Sequence, residues 1–336
     1  MSAPRIAHGG GIAAAAARFG GRPEDWLDLS TGINPNPAAL PGVDAAAWHR
    51  LPDRHRQDET RAAAARYYGT PQALPLPVPG TQSVIQLLPR LVPAGRRAAV
   101  LSPTYGEYAR VLGNAGVRVD CVASPDDVTG AHGLAVIVNP NNPDGRFYPR
   151  KTLVDLHARM AASGGLLLVD EAFGDMRPEA CIAPLAGDAM PNLLVFRSFG
   201  KFFGLAGLRL GFAVGPAGLL ERLEDWLGPW AVSGPALAIA TELMASDDTA
   251  AIGRAIETRK AGLDAVLSGA GLKVVGGTGL FSLVEHEEAH ALHDALCRRH
   301  VLVRPFDYNR RWLRFGLAPD EAGDARLSAA LAGATG

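Results

Sequence analysis

Short apolar runs alternate with helix-length segments through the middle of this chain, and this alternation constrains the fold most strongly. The runs LAVIV before Asn139 and LLLV before Asp170 have the length of strands, whereas KTLVDLHARMAASGG has the length of a helix. Strand-length runs separated by helices of about ten or more residues are typical of parallel strands joined by crossover helices. The sequence therefore predicts an α/β fold with a large, mostly parallel sheet covered by helices.

The last third of the chain has a different pattern. Long helical segments are followed by separate strand-like runs such as LKVVGG and GLFSLVE. This change predicts a smaller α+β domain after the sheet domain. We expect an N-terminal arm and crossover segment at residues 1–43 that packs on the small domain, a large sheet domain at residues 44–232 and a small domain at residues 233–336.

Composition excludes several classes of function. The chain carries a formal net charge of -1 over 336 residues, which predicts neither a nucleic-acid partner nor an anionic membrane partner. The apolar runs are too short to span a bilayer, and the first residues lack the apolar core of a signal peptide. Cys121, Cys181 and Cys297 fit neither a disulfide framework nor a zinc site. We expect a cytoplasmic protein without a metal site.

Two charged residues lie within apolar stretches of the sequence, where a charge is unexpected unless it has a function or a partner. Lys201 lies within the stretch SFGKFFGLAGLRLGF, where an ammonium group is costly unless its head reaches water or its amine has chemistry to perform. Asp170 ends a fully apolar strand, where a carboxylate is costly unless it meets a cation. In open α/β sheets ligands bind at the carboxyl ends of the strands. We expect both residues to belong to one site there.

Further candidates lie at strand ends or in the loops that follow, and they are Gly80, Thr81, Gln82, Tyr105, Asn142, Ser198 and Arg209. Taken singly, the Gly-Thr-Gln triplet is better explained as an ordinary turn and Tyr105 as a core aromatic residue. As a set, helix-start amides, a serine and an arginine suit a phosphate, and Tyr105 suits a planar ring. Together with a lysine and a buried carboxylate they predict pyridoxal 5'-phosphate. Lys201 would form a Schiff base with its aldehyde, and Asp170 would keep its ring nitrogen protonated.

Three motifs in this order resemble the aspartate aminotransferase superfamily of fold-type-I pyridoxal-phosphate enzymes. SFGKFFGLAGLRLGF is similar to the lysine motif of the histidinol-phosphate aminotransferase branch, and NPNNPDG and VDEAF are similar to its usual companions. The resemblance covers nearly the whole chain. It implies a homodimer, because active sites in this superfamily form at a subunit boundary.

The N-terminal segment resembles the threonine-phosphate decarboxylase family of cobalamin biosynthesis, through HGGG from His8 and WLDLSTGINPNP from Trp26. This implies decarboxylation of O-phospho-L-threonine, a small phosphorylated amino acid, to (R)-1-aminopropan-2-yl phosphate and carbon dioxide. The two arginines of the implied site would bind the substrate's acidic groups, without an assignment of either to phosphate or carboxylate. Asn142 would contact both cofactor and substrate. The implied substrate-binding residues are His8, Gly9, Gly32, Asn142, Arg304 and Arg314.

Three positions depart from the pattern of the relatives. Phe173 replaces a tyrosine whose hydroxyl reaches the cofactor's ring oxygen, and Leu51 replaces a tyrosine that reaches the cofactor phosphate of the neighbouring subunit. Gly32 stands where some threonine-phosphate decarboxylases have asparagine, so only backbone contact is expected there.

Three other functions agree with parts of the sequence. An aminotransferase acting on histidinol phosphate or a related phosphorylated amine would need the same cofactor residues, but it gives HGGG and the INP turn no role. A non-catalytic scaffold with this fold would have no need of Lys201 and Asp170. A dinucleotide-binding protein is weakly supported, because the glycines of HGGG follow no strand.

Overall fold

The computed structural model describes residue 6 and residues 8–334. The α-helices of this part are α1 (Ile12–Phe19), α2 (Ala45–His49), α3 (Arg54–Tyr68), α4 (Thr81–Ile85), α5 (Glu107–Asn114), α6 (Arg150–Ala162), α7 (Phe199–Phe202), α8 (Ala217–Leu227), α9 (Gly234–Ala245), α10 (Thr249–Gly269), α11 (Ala289–Cys297) and α12 (Glu321–Ala332). The strands are β1 (Leu27–Asp28), β2 (Leu76–Val78), β3 (Arg97–Leu101), β4 (Val119–Val122), β5 (His132–Val138), β6 (Leu166–Asp170), β7 (Leu193–Ser198), β8 (Gly211–Val214), β9 (Lys273–Thr278), β10 (Phe281–Glu285), β11 (Val301–Leu302), β12 (Arg304–Pro305) and β13 (Trp312–Gly316). Within these residues, no helix has the length and apolar character needed to cross a bilayer.

A seven-stranded sheet has the order β2-β8-β7-β6-β5-β3-β4. The pairs from β7 through β6, β5 and β3 to β4 are parallel. Strand β8 is antiparallel to both of its neighbours, β7 and β2. The predicted mostly parallel sheet is therefore confirmed, with one reversed strand inserted near its edge.

Both faces of this sheet are covered by helices. Alternate side chains of a strand point to opposite faces, and accordingly Leu168 of β6 enters one hydrophobic core while Val169 enters another. The first core contains residues of α5 and α8, such as Leu112 and Leu223. The second contains residues of α6, such as Leu156. This two-sided burial explains why the strands are apolar throughout rather than alternating.

Helix α3 shows how local sequence sets the element boundaries. The side chain of Asp53 accepts a hydrogen bond from the backbone N–H of Arg56 at 3.0 Å, which caps the first turn. Gly69 ends the helix with a φ of 64°, a left-handed conformation that glycine adopts without a steric penalty. The helix between these two signals packs on α9, where Thr60 and Thr241 share a hydrogen bond of 2.8 Å.

Two compact units divide the chain. The first contains Ala38–Asn141 and Phe147–Ala250, and therefore the seven-stranded sheet. The second contains the described residues before Ala38, together with Asn142–Arg146 and the described residues from 251 onward. The division into an arm, a large domain and a small domain at residues 43/44 and 232/233 stays a prediction.

The second unit is built on an antiparallel sheet of order β12-β13-β10-β9. The N-terminal strand β1 pairs in parallel with β11, and Leu29 then bonds to Gly316 of β13 through its carbonyl oxygen at 2.7 Å. A Cβ atom at Gly316 would lie 2.2 Å from the carbonyl oxygen of Thr31. A glycine is therefore needed for the segment around Ser30 to approach β13.

Candidate active site

Asp170 ends β6 and is buried, with 5% of its surface exposed. Its Oδ2 accepts a hydrogen bond of 2.6 Å from the hydroxyl of Tyr108, and its Oδ1 accepts one of 3.0 Å from the backbone N–H of Ala172. Burial raises the pKa of Asp170, while these hydrogen bonds and the charges of Lys201 and Arg197 act in the opposite direction. Such a carboxylate gains from a cationic ligand group.

Lys201 lies in α7, a single helical turn directly after β7, and its side chain is half-buried. Its Nζ lies 5.9 Å from the ring centroid of Phe173, which is itself buried. Phe173 therefore lies beside the amine and offers it an aromatic ring without a hydroxyl. Strands β6 and β7 are paired, so Asp170 and Lys201 follow adjacent strand ends.

Four residues that are predicted to bind a phosphate lie near one another, and we call them the anion cup: Gly80, Thr81, Ser198 and Arg209. Gly80 precedes α4 with a φ of 71°. A Cβ atom there would lie 2.9 Å from Nη2 of Arg209, so the guanidinium lies directly against this glycine. Arg209 has a left-handed backbone with a φ of 54° and donates from Nη1 to the carbonyl oxygen of Ala206 at 3.1 Å.

Gly211 brings the other two members of the anion cup together. It pairs with Ser198 across β7 and β8. A Cβ atom at Gly211 would lie 3.0 Å from the backbone nitrogen of Thr81 and 3.0 Å from the carbonyl oxygen of Arg197. The absence of a side chain thus allows the end of β7 and the start of α4 to lie close on either side of β8.

Tyr105 contacts both the helix that follows Gly80 and the partner of Asp170. Its hydroxyl donates to Oε1 of Gln82 at 3.1 Å, and Nε2 of Gln82 donates to Oε2 of Glu107 at 3.1 Å. Its ring meets that of Tyr108 edge to face, with centroids 6.1 Å apart. Burial, with the charges of Glu107 and Asp170, raises the pKa of Tyr105 to about 12, so this phenol is neutral at physiological pH. The side chain of Gln82 is already hydrogen-bonded to Tyr105 and Glu107. The predicted contact of Gln82 with an anion would therefore be made by its backbone N–H.

Arg314, in the second unit, is buried in β13 with 7% of its surface exposed. Its Nη1 donates to Oδ1 of Asn142 at 2.5 Å and its Nη2 to the carbonyl oxygen of Ser30 at 2.7 Å. Its Nε has no hydrogen-bond partner among the residues that the structure describes. Burial, together with the charge of Arg304 on the paired strand β12, lowers the pKa of Arg314 to about 10. A buried guanidinium whose bonds go to uncharged oxygens favours an anionic ligand.

The HGGG arm lies against Ser30 in the same unit. The backbone N–H of Gly10 donates to Oγ of Ser30 at 2.7 Å, and a Cβ atom at Gly9 would lie 2.4 Å from the carbonyl oxygen of Ser30. That carbonyl oxygen is the one that accepts from Arg314. Ser30 therefore links the arm to the buried arginine.

The turn that carries Asn142 is fixed to β9 by close backbone contact. The N–H of Gly277 donates to the carbonyl oxygen of Asp144 at 3.1 Å. A Cβ atom at Gly145 would lie 1.8 Å from the carbonyl oxygen of Gly277, so no other residue fits there without rearrangement. This contact holds the amide of Asn142 in place for its bond to Arg314.

The predicted residues thus separate into two groups. The first unit contains Gly80, Thr81, Gln82, Tyr105, Asp170, Ser198, Lys201 and Arg209. The second contains His8, which is exposed, Gly32, which is buried, and Gly9, Asn142, Arg304 and Arg314. The predicted contact of Asn142 with the cofactor stays a prediction.

Comparison with known proteins assigns the family. A model of the aminotransferase class I and II family matches residues 24–331. The chain belongs to this family. It is 64% identical over 332 residues to a threonine-phosphate decarboxylase from Sinorhizobium sp, with 99% of each chain covered. It is 43% identical over 331 residues to a threonine-phosphate decarboxylase from Pseudomonas aeruginosa, with 98% of each chain covered.

A solved member of similar fold is histidinol-phosphate aminotransferase from Sinorhizobium meliloti in complex with pyridoxal-5'-phosphate. The TM-score is 0.79 at 22% identity, covering 98% of this chain and 94% of that chain. At this identity the likeness shows the fold of the aminotransferase family.

Sequence reasoning missed two members of the site. Tyr108 follows Tyr105 by three residues in PTYGEY, close enough on a helix to reach the same neighbourhood. Ser30 acts mainly through its backbone carbonyl, which no side-chain pattern reveals. Elsewhere, within the described part of the chain, no group of three or more histidine, cysteine, aspartate or glutamate residues is arranged to hold a metal ion.

Proposed function

We propose that this chain is a pyridoxal-phosphate-dependent carboxy-lyase that converts O-phospho-L-threonine to (R)-1-aminopropan-2-yl phosphate and carbon dioxide. The observation that carries the proposal is its full-length similarity to two threonine-phosphate decarboxylases. The geometry supports this reading over an aminotransferase acting on histidinol phosphate, because the HGGG arm is attached through Ser30 to Arg314. The product's chemistry matches the aminopropanol side chain of cobalamin, so we place the reaction in cobalamin biosynthesis.

The residues of the first unit fit pyridoxal phosphate. Each carboxylate oxygen of Asp170 accepts one hydrogen bond, which leaves lone pairs for a further donor such as a protonated ring nitrogen. Burial raises the pKa of Asp170, which disfavours its ionised form, and a protonated ring nitrogen beside it would stabilise that form. Because Gly80 has no side chain, its backbone lies directly beside the guanidinium of Arg209. A phosphate group requires hydrogen-bond donors of this kind close together.

In this assignment the anion cup would bind the cofactor phosphate, Tyr105 would contact its ring, and Asp170 would keep the proton on the ring nitrogen. Lys201 would provide the amine that holds the cofactor covalently. When bound, pyridoxal phosphate supplies an aldehyde and an electron sink for the bond broken at the substrate's Cα. The ring of Phe173 beside Nζ of Lys201 adds no hydrogen-bonding group that would compete for this amine.

The two arginines of the second unit match the two acidic groups of the substrate. Arg304 and Arg314 are cross-strand partners, so their charges repel until an anion binds. Each arginine–anion hydrogen bond is worth about 1.5–3 kcal/mol, and about 1.4 kcal/mol changes a rate tenfold. Which bond at Cα breaks depends on how the substrate is oriented, so these contacts are strong enough to favour loss of carbon dioxide over loss of the Cα proton.

Product analysis tests the proposal. Purified protein loaded with pyridoxal phosphate is incubated with O-phospho-L-threonine, and carbon dioxide is measured without any 2-oxo acid acceptor. We expect one carbon dioxide for each aminopropanol phosphate formed. Transamination of glutamate without release of carbon dioxide would favour the histidinol-phosphate aminotransferase alternative.

We also propose that the enzyme is a homodimer. Four large apolar side chains of the first unit have more than half of their surface exposed, namely Leu40 at 63%, Trp48 at 69%, Leu51 at 66% and Trp230 at 54%. Large apolar side chains exposed to this extent are candidates for contact with a partner surface, and a second copy of the chain is the partner implied by the family resemblance. Sedimentation should give twice the monomer mass of 35.2 kDa.

We propose a cytoplasmic location on the basis of cysteine chemistry. Cys121, Cys181 and Cys297 are all free thiols, and unpaired cysteines are typical of reducing compartments. Fractionation of the native host with an antibody to the chain would check this.

A further inference from the structure

A cluster of charged side chains lies on the sheet face opposite Asp170 and Ser198. Along β7, Leu194 and Phe196 enter the same hydrophobic core as Leu168 of β6. Their neighbours in the sequence point to the other face, because side chains alternate along a strand. By this alternation Asp170 and Ser198 share the face of the first core, while the next residue, Glu171, and the preceding residue, Arg197, lie toward the second.

Arg197 joins the ends of β6 and β7 across this second face. Its Nη1 donates to Oε2 of Glu171 at 3.1 Å and its Nη2 to Oδ1 of Asp175 at 3.0 Å. The exposed fractions of the three side chains are 4%, 0% and 4%. The guanidinium carbon also lies 4.5 Å from the ring centroid of Tyr68. Glu171 is anchored further by the backbone N–H of Ile182, which donates to Oε1 at 2.5 Å.

Stability alone does not explain this cluster. Burying three charges carries a desolvation cost of several kcal/mol per ion, and well-packed apolar residues in such places are often equally or more stabilising. The cluster also contains one cation and two anions, so its charges do not cancel within it. The ion pair between Arg197 and Glu171 does, however, fix the distance between the ends of β6 and β7.

We propose that Arg197 and Glu171 are positioning residues that fix the strand ends carrying Asp170 and Lys201 in register for the cofactor. Glu171 is one peptide bond from Asp170, and Arg197 is one peptide bond from Ser198 and four residues from Lys201. The inference rests on the proposed function, since it takes pyridoxal phosphate to bind to the first unit. A misplacement of about 1 Å can cost about a hundredfold in rate, so a small shift between these strands is enough to matter.

The test uses the full chain and four variants. Arg197→Met removes the cation, Arg197→Lys keeps the charge without the two-pronged donor, Glu171→Gln removes one anion, and the triple variant Glu171→Gln/Asp175→Asn/Arg197→Met removes the cation and both anions. Arg259→Met is the matched control, because Arg259 forms a 2.7 Å ion pair with Asp324 in the second unit, with exposures of 11% and 12%. The readouts are the dissociation constant for pyridoxal phosphate, kcat, KM for O-phospho-L-threonine, and Tm without cofactor.

We expect Arg197→Met to weaken cofactor affinity and lower kcat by about tenfold or more each, with little change in KM. Arg197→Lys should fall between Arg197→Met and the wild type. The control should lose Tm while keeping the wild-type dissociation constant. The triple variant should recover Tm, because no unpaired carboxylate charge is left at Glu171 or Asp175, but it should not recover cofactor affinity.

Two results would overturn the positioning role. One is a wild-type dissociation constant and kcat in Arg197→Met, or in Arg197→Lys and Glu171→Gln if the methionine variant does not fold. The other is recovery of cofactor affinity together with Tm in the triple variant, which would assign the cluster to stability alone. If the wild type binds pyridoxal phosphate but releases no carbon dioxide, the proposed reaction is wrong while the affinity comparison still decides the inference. A wild type that binds no pyridoxal phosphate overturns both.

Discussion

Replacing Tyr108 by phenylalanine should move the acid limb of the pH–rate profile. The hydroxyl of Tyr108 donates a 2.6 Å hydrogen bond to Asp170, and Tyr108 is fully buried, with 0% of its surface exposed. A hydrogen bond to a charged group is worth about 1.5–3 kcal/mol, and one pKa unit corresponds to about 1.36 kcal/mol. Removing a donor destabilises the ionised carboxylate, so the pKa of Asp170 should rise by about 1–2 units.

The assay is kcat for carbon dioxide release, measured from acidic to mildly alkaline pH on enzyme saturated with pyridoxal phosphate. Protonated Asp170 no longer stabilises a protonated ring nitrogen by charge, so the acid limb of Tyr108→Phe should shift upward by about 1–2 units. Tyr105→Phe is the control, because its hydroxyl donates to the neutral amide of Gln82. Its acid limb should coincide with that of the wild type. An unshifted limb in Tyr108→Phe would refute the role given to this bond.

Three further variants test the two groups of residues. Lys201→Ala should abolish carbon dioxide release without lowering Tm appreciably, because Lys201 is half-buried on a single helical turn outside the core; near-normal release would refute its role. Gly80→Ala should weaken pyridoxal phosphate binding by about tenfold, since a non-glycine residue at this positive φ and extended ψ costs about 1–3 kcal/mol and its Cβ would meet Arg209 at 2.9 Å. Gly253→Ala is the control, because a Cβ atom at Gly253 would meet no atom within 4 Å. Equal dissociation constants for the two variants would contradict the role of Gly80 in the anion cup. Arg314→Met should raise KM for O-phospho-L-threonine by about tenfold or more while leaving the dissociation constant of the cofactor unchanged, and an unchanged KM would remove Arg314 from substrate binding.

The sequence alone was enough to predict the strands of the large sheet that are long and apolar. The runs before Asn139 and Asp170 became β5 and β6, because burial on both faces requires an uninterrupted apolar run. Strand β8 was not recognised, since Gly211–Val214 is short and lies inside the lysine motif. Its reversed direction depends on pairing with β7 and β2, which no local pattern encodes. The two-residue strands β1, β11 and β12 are likewise defined only by their partners.

In the candidate site, too, some residues can be predicted from the local sequence, whereas other contacts depend on the fold. Asp170 was found because a charge at the end of an apolar strand is costly unless paired, and that reasoning extends to Arg197, which lies within LLVFRS. The partners of Arg197 in the cluster around Glu171 are set by the fold, so the sequence does not identify them. The contact of Gly9 with Ser30 could not be predicted, because it joins a glycine to a backbone carbonyl 21 residues away. Contacts of that kind depend on tertiary packing rather than on the identity of a side chain.

Borohydride reduction followed by peptide mapping tests the central assignment most directly. The chain contains four lysines, Lys151, Lys201, Lys260 and Lys273, so attachment of the cofactor to one of them is readily distinguished. The account predicts a yellow protein in which reduction places the phosphopyridoxyl group on Lys201 alone. A label on any other lysine, or no label on protein saturated with pyridoxal phosphate, would contradict it.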